Sequence, residues 1–125
     1  MTGEQEPEFC RWIHNVLGQL SWDADQQLGH VRNLKVGVDE LALEFDDALH
    51  LAQAKVQEGV LGQDALQTLL PVDTHLRCMT DTGTDVWTEE AVATSPEWQE
   101  LRTLAKQAHL NFDGGFSGDD FDVDA

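Results

Sequence analysis

LGHVRNLKVGVDELALEFDDALHLAQAKV, residues 28–56, carries apolar side chains at Leu28, Val31, Leu34, Val38, Leu41, Phe45, Ala48, Ala52 and Val56. Every step is three or four residues, the spacing of one face of an α-helix. The opposite face carries Asp39, Glu40, Glu44, Asp46 and Asp47. The pattern predicts one long helix from about Asp25 to Glu58, with a core-forming seam and a strongly negative back. Gly29 and Gly37 each cost such a helix about 1 kcal/mol relative to alanine. Gly37 is placed to mark a bend or a close crossing, and Gly59 to supply a left-handed stop.

Helical periods recur on both sides of that stretch. Pro7 suits a first helical turn, with Glu6 and Glu8 favourable at that end of the dipole. Phe9, Trp12, Ile13, Val16, Leu17 and Leu20 follow as an apolar stripe. Ser21-Trp22-Asp23 reads as a break, with Asp23 or Asp25 able to cap what comes next. Gly62-Gln63-Asp64 opens a further helix that ends near Leu70, and a second turn system restarts at Pro71 because proline cannot continue the first. Val72, His75, Leu76 and Met79 share its face. Thr88 caps a short helix, and Ser95-Pro96-Glu97 combines a cap, a first-turn proline and a first-turn acid. Trp98, Leu101, Leu104, Ala105 and Ala108 form the last inner stripe, fading at Asn111. No run alternates with period two, so the expected fold is all-α. It is a bundle of four main helices with one short extra helix over residues 1–110, followed by an acidic tail over 111–125.

Charge is the strongest compositional signal: 24 acidic residues against 7 basic ones, net −17 over 125 residues. The tail contributes five aspartates and no base, so the body is acidic in its own right. Such a field repels phosphate and anionic lipid, which argues against direct nucleic-acid or membrane-surface binding. It attracts basic protein surfaces or divalent cations; solubility or a salty cytoplasm explains the same composition without a partner. Two cysteines, Cys10 and Cys78, are too few for a disulfide framework and suit a reducing compartment. No apolar run reaches membrane-spanning length, and the N-terminus has no signal-peptide pattern, so a cytoplasmic setting is expected.

Few residues invite chemistry. Cys10 with His14 and His75 with Cys78 have helical spacing and together would supply the ligands of a closed zinc site, if their helices are neighbours in register. Small buried thiols and partly exposed imidazoles are the favoured reading of them. Asp47-x-x-His50, with Glu44 one turn earlier, occurs once, whereas a carboxylate metal centre in a bundle needs two such pairs. No nucleophile elbow or phosphate-cradling loop occurs. The reading is therefore non-enzymatic, with no metal and no cofactor.

Two functional expectations follow. In the first, the chain is an inhibitor or immunity-type protein. Its face of Asp39, Glu40, Glu44, Asp46 and Asp47 covers a basic nucleic-acid-binding or catalytic surface of a partner, with nucleic-acid mimicry as a special case. Trp12 and Trp98 are read as core. Trp22 and Trp87, at helix boundaries, either staple loops to the bundle or serve as exposed anchors for that partner. In the second, an adaptor is recognised through its tail, where Phe116, Asp119, Asp120 and Phe121 mix acid with aromatic in the manner of segments that dock into basic grooves. Phe112 fits either that tail or a lid folded onto the core. The long helix, longer than a four-helix neighbour must cover, also allows a homodimer through its seam.

Overall fold

The computed structural model describes residues 7–83 and 85–112. These residues are all-α, with no strand among them. α1 spans Glu8–Ser21 and buries Cys10, Ile13, Val16, Leu17 and Leu20. Pro7 stands just outside it and accepts the first backbone bonds from Cys10 and Arg11. Trp12 does not join the core; it stays 37% exposed. The 100° step from Ile13 carries the indole past the buried stripe to the rim beside Leu51 and Lys55.

Asp23 caps α2 (Ala24–Leu34) in a full capping box. Its carboxylate accepts from the Gln26 amide at 2.8 Å, and the Gln26 side chain accepts from the Asp23 amide at 3.3 Å. The expected continuous helix then fails at Lys35. This residue turns left-handed (φ 61), its amide bonding back to Arg32 while Val36 bonds to Val31 at 3.0 Å. That pair of bonds is a Schellman stop, adopted here without the usual glycine. α3 restarts at Asp39 and runs to Gln57. The apolar series of 28–56 is thus divided between two helices. Val31, Val38, Leu41, Phe45, Ala48 and Ala52 of that series are consumed in this chain's own core. The single long seam that suggested a homodimer is not present.

Gly59, at φ 81, ends α3 with the same pair of bonds, Gly59 to Val56 and Val60 to Lys55. The short α4 (Gln63–Gln67) leads into α5 (Leu70–Asp81), which takes Pro71 in its first turn where a missing N–H costs nothing. α6 (Glu89–Thr94) is capped by the Thr88 hydroxyl and α7 (Pro96–Asn111) by the Ser95 hydroxyl. α1 and α7 form the centre: α1 packs on α7 and α3, α5 and α6 lie against α7, and α2 lies against α6. Phe112 closes the end of this pair, 2% exposed, its carbonyl accepting from His14 Nε2 at 2.7 Å. It is a lid on the core.

Two polar contacts lock the layers. Trp98, fully buried, donates its indole N–H to the Val86 carbonyl at 2.7 Å and so fixes the loop before α6. Gln27, also fully buried, donates its amide to the carbonyls of Gln19 (3.1 Å) and Leu20 (2.9 Å) at the end of α1. Its oxygen accepts from Arg102 Nε at 3.0 Å, and Arg102 also donates to the Val92 carbonyl. One amide and one guanidinium thereby join α1, α2, α6 and α7. No helix of the described residues is long and apolar enough to cross a membrane.

Candidate functional site

α3 positions the acidic face. Leu41, Phe45, Ala48, Leu49 and Ala52 turn inward, so the residues half a turn away must face water. Those are Asp39, Leu43, Asp46, Asp47 and His50, all exposed. Between Lys35 and Lys55 the chain contains no lysine or arginine. His50 Nδ1 lies 3.4 Å from Asp46, pairing with the carboxylate one turn back rather than with Asp47. Two exposed carboxylates about 6 Å apart repel by roughly 0.7 kcal/mol at the dielectric of water. A row of them is therefore tolerated only because the inner face of α3 is so completely buried.

The five predicted carboxylates do not share one environment. Asp39, Asp46 and Asp47 are solvated, whereas Glu40 and Glu44 are half-buried on the flank. Burial is the largest influence on Glu44 and raises its pKa above the usual carboxylate range. Glu40 and Asp47 push the same way, and His30 on α2 opposes them. His30 in turn meets the ring of Trp22 edge-on at 5.4 Å, and its buried Nε2 has no hydrogen-bond partner. The corner from α1 to α3 therefore runs Trp22, His30, Glu44 and then the open face.

Trp22 is partly buried and close to the acidic corner through His30. Trp87 is partly buried elsewhere, edge-on to Trp98 at 5.8 Å, where it holds the loop before α6. The structure thus joins one of the two boundary tryptophans to the α3 corner and assigns the other to the α7 side. Phe116, Asp119, Asp120 and Phe121 lie outside the described residues. Leu43, 53% exposed among the aspartates, was missed in reading the sequence. It stands off the seam, between Leu41 and Phe45, and that displacement was the available signal.

The four candidate zinc ligands do not assemble. Cys10 is buried in the core and Cys78 is exposed. His14 Nε2 donates to Phe112 and His75 Nε2 donates to the Glu97 carbonyl at 2.8 Å. Among the described residues, no group of three or more histidine, cysteine and carboxylate side chains could hold a metal ion. His14 belongs instead to an aromatic cluster with His109 (5.4 Å) and Phe112 (5.1 Å). Burial and the neighbouring His14 hold the pKa of His109 below the ordinary histidine value.

No family model matches the chain, and neither a curated protein nor a solved structure does. A one-signed, solvent-facing helix with a central leucine accelerates encounter with a positively charged surface and offers a small apolar contact once there.

Proposed function

We propose that this chain is a non-catalytic acidic binding module that occludes a basic surface of a protein partner, in the manner of an inhibitor or immunity-type protein. The observation that carries the reading is the exposed face of α3, where Asp39, Asp46 and Asp47 surround Leu43 on a segment without a lysine or arginine. Glu40, Glu44 and Trp22 extend it toward α2. The carboxylates steer the encounter, worth about 10- to 1,000-fold in association rate at low salt. Leu43 and Trp22 supply contact that salt does not screen. A basic nucleic-acid-binding or catalytic cleft is the fitting target, and competition with nucleic acid for that cleft is the mimicry form of the proposal. A chain with two cysteines, too few for a disulfide framework, suits a cytoplasmic setting.

The test compares the full chain with Asp46→Lys/Asp47→Lys as bait in lysate of the source organism, followed by association kinetics on the captured protein at low and high salt. The unaltered chain should capture a basic protein and release it as salt rises. The charge-reversed variant should associate at least about tenfold more slowly, with a flatter salt dependence. Equal capture and equal salt dependence by the two would refute the reading. Loss of capture on replacing Phe116 and Phe121 by serine, with the α3 variant unaffected, would favour the tail-read adaptor instead.

A further inference from the structure

Between α3 and α5 lies a groove of about 310 Å³. Phe45, Leu76 and the half-buried Ala42 give it apolar lining, and the exposed Leu43 borders it. A carboxylate stands on each side, Asp46 on α3 and Asp73 on α5. The volume is at the lower end of ligand pockets, about 300–1,000 Å³, and suits a single long side chain.

The two carboxylates differ in surroundings. Asp46 is exposed and lies 3.4 Å from His50 Nδ1. Asp73 keeps only 18% of its side chain exposed, and its Oδ2 accepts from Arg77 Nε at 3.0 Å. A carboxylate so sheltered holds a cation better than one on the open face, because water screens the bond less. Arg77 is that cation within the chain, yet its own side chain is 77% exposed. Exposed pairs of this kind, one helical turn apart, are weak, so another cation can replace Arg77 at Asp73.

We propose that this groove receives an arginine side chain of the partner protein. Its methylene stem lies along Ala42, Phe45 and Leu76, and its guanidinium takes over from Arg77 at Asp73, with Asp46 beside it. Arginine fits better than lysine, because a guanidinium is more weakly hydrated and its planar fork presents donors on more than one side. Arg77 is then an internal competitor that lowers the affinity for every incoming base. The inference deepens the α3 reading and rests on it, since it names the anchor that the basic partner inserts next to the steering carboxylates.

The test titrates the isotope-labelled full chain with N-acetyl-arginine amide and follows its amide signals by NMR. N-acetyl-lysine amide serves as a probe of equal charge. Saturable shifts are expected at Ala42, Leu43, Leu76 and Arg77, with tighter binding of the arginine probe. Arg77→Ala should tighten that binding about two- to fivefold, the equivalent of one exposed ion pair. Asp73→Asn should abolish saturation, whereas Glu100→Gln, which removes one carboxylate from the exposed side of α7, should preserve it. Unmoved α1 signals in each variant confirm that the bundle remains folded. Shifts that spread along α3 without saturating would overturn the proposal, as would equal binding of the two probes or weaker binding by Arg77→Ala. These readouts use no partner and no salt dependence, so failure of the groove is distinguishable from failure of the α3 reading.

Discussion

Replacing Gln27 by leucine removes the buried amide that joins α2 to α1 and α7 while keeping its volume nearly constant. Three hydrogen bonds disappear, but their losses differ in kind. Gln19 retains the backbone bond from Trp22 to its carbonyl (3.3 Å), and Arg102 retains its contact with Val92. The Leu20 carbonyl and Arg102 Nε lose the partners seen here. A buried polar group left unsatisfied costs about 1–3 kcal/mol, so two cost about 2–6 kcal/mol, partly offset by the better transfer energy of leucine. The expected destabilisation is about 3 kcal/mol, a fall in Tm of about 10 °C for a domain of this size. Urea unfolding followed by circular dichroism measures it. The decisive comparison is Gln27→Leu with Arg102→Met. When both partners are apolar no charged group is stranded, and the double variant should lose about 1–3 kcal/mol less than the sum of the singles. A single-variant loss under about 1 kcal/mol, or strict additivity of the two, would refute the idea that this node holds the helices together.

Lys35→Gly should stabilise the chain by about 0.5–1 kcal/mol, because glycine relieves the left-handed strain at φ 61; thermal unfolding checks it, and a destabilised variant would mean the turn does not form. Glu44→Gln should add about 0.5–1 kcal/mol at neutral pH by removing like charges one turn from Glu40 and Asp47. The folded-state pKa of Glu44 is raised. Its ionised form therefore weakens the fold above that pKa, and the gain should vanish as pH falls below the ordinary carboxylate value of 4.5. His109 has the opposite linkage: its folded pKa is depressed, so it should cost stability as pH falls through 6.5, and His109→Gln should flatten that part of the stability curve. Added sodium chloride should raise Tm steadily, since screening relieves the self-repulsion of a chain at net −17; a Tm indifferent to salt would show the carboxylates too far apart to interact.

Caps and stops were legible because they are local. Asp23, Gly59, Thr88 and Ser95 each satisfy backbone groups within four residues, so short windows of sequence carry the information. The break between α2 and α3 was not legible. The three-and-four spacing of apolar residues survives it, because both helices face one core, and the left-handed residue is a lysine with no conformational signature. Gly37 hinted at a bend but stands two residues past the turn. Trp12 was misplaced because a six-residue stripe is wider than the buried arc of α1, and the indole falls at its edge. Gln27 was invisible for a different reason. It occupies a stripe position, one turn before Val31, but a glutamine there reads as solvent-facing unless Arg102 and the end of α1 are known to converge on it. Of the candidate site, the carboxylates were legible and their division was not. Which of them are half-buried depends on where α2 lies, and that depends on the break.

The same layout bears on what the acidity is for. Bases in this chain are mostly engaged locally: Arg32 with Glu89, Lys55 with Glu58, Arg77 with Asp73, and Arg102 with Gln27 and Val92. The three ion pairs among these, Arg32–Glu89, Lys55–Glu58 and Arg77–Asp73, contribute little stability. Their effect on the field is larger, because each neutralises a carboxylate on α5, on α6 or just past the end of α3. The solvent face of α3 has no lysine or arginine of its own over its first three turns, and Arg77 of α5 borders it beside Leu43 and Asp46. Solubility alone would be served as well by acids scattered evenly, and would gain nothing from an exposed leucine among them. A surface that concentrates carboxylates around an apolar contact, on a helix whose inner face is buried, suits charge-steered recognition.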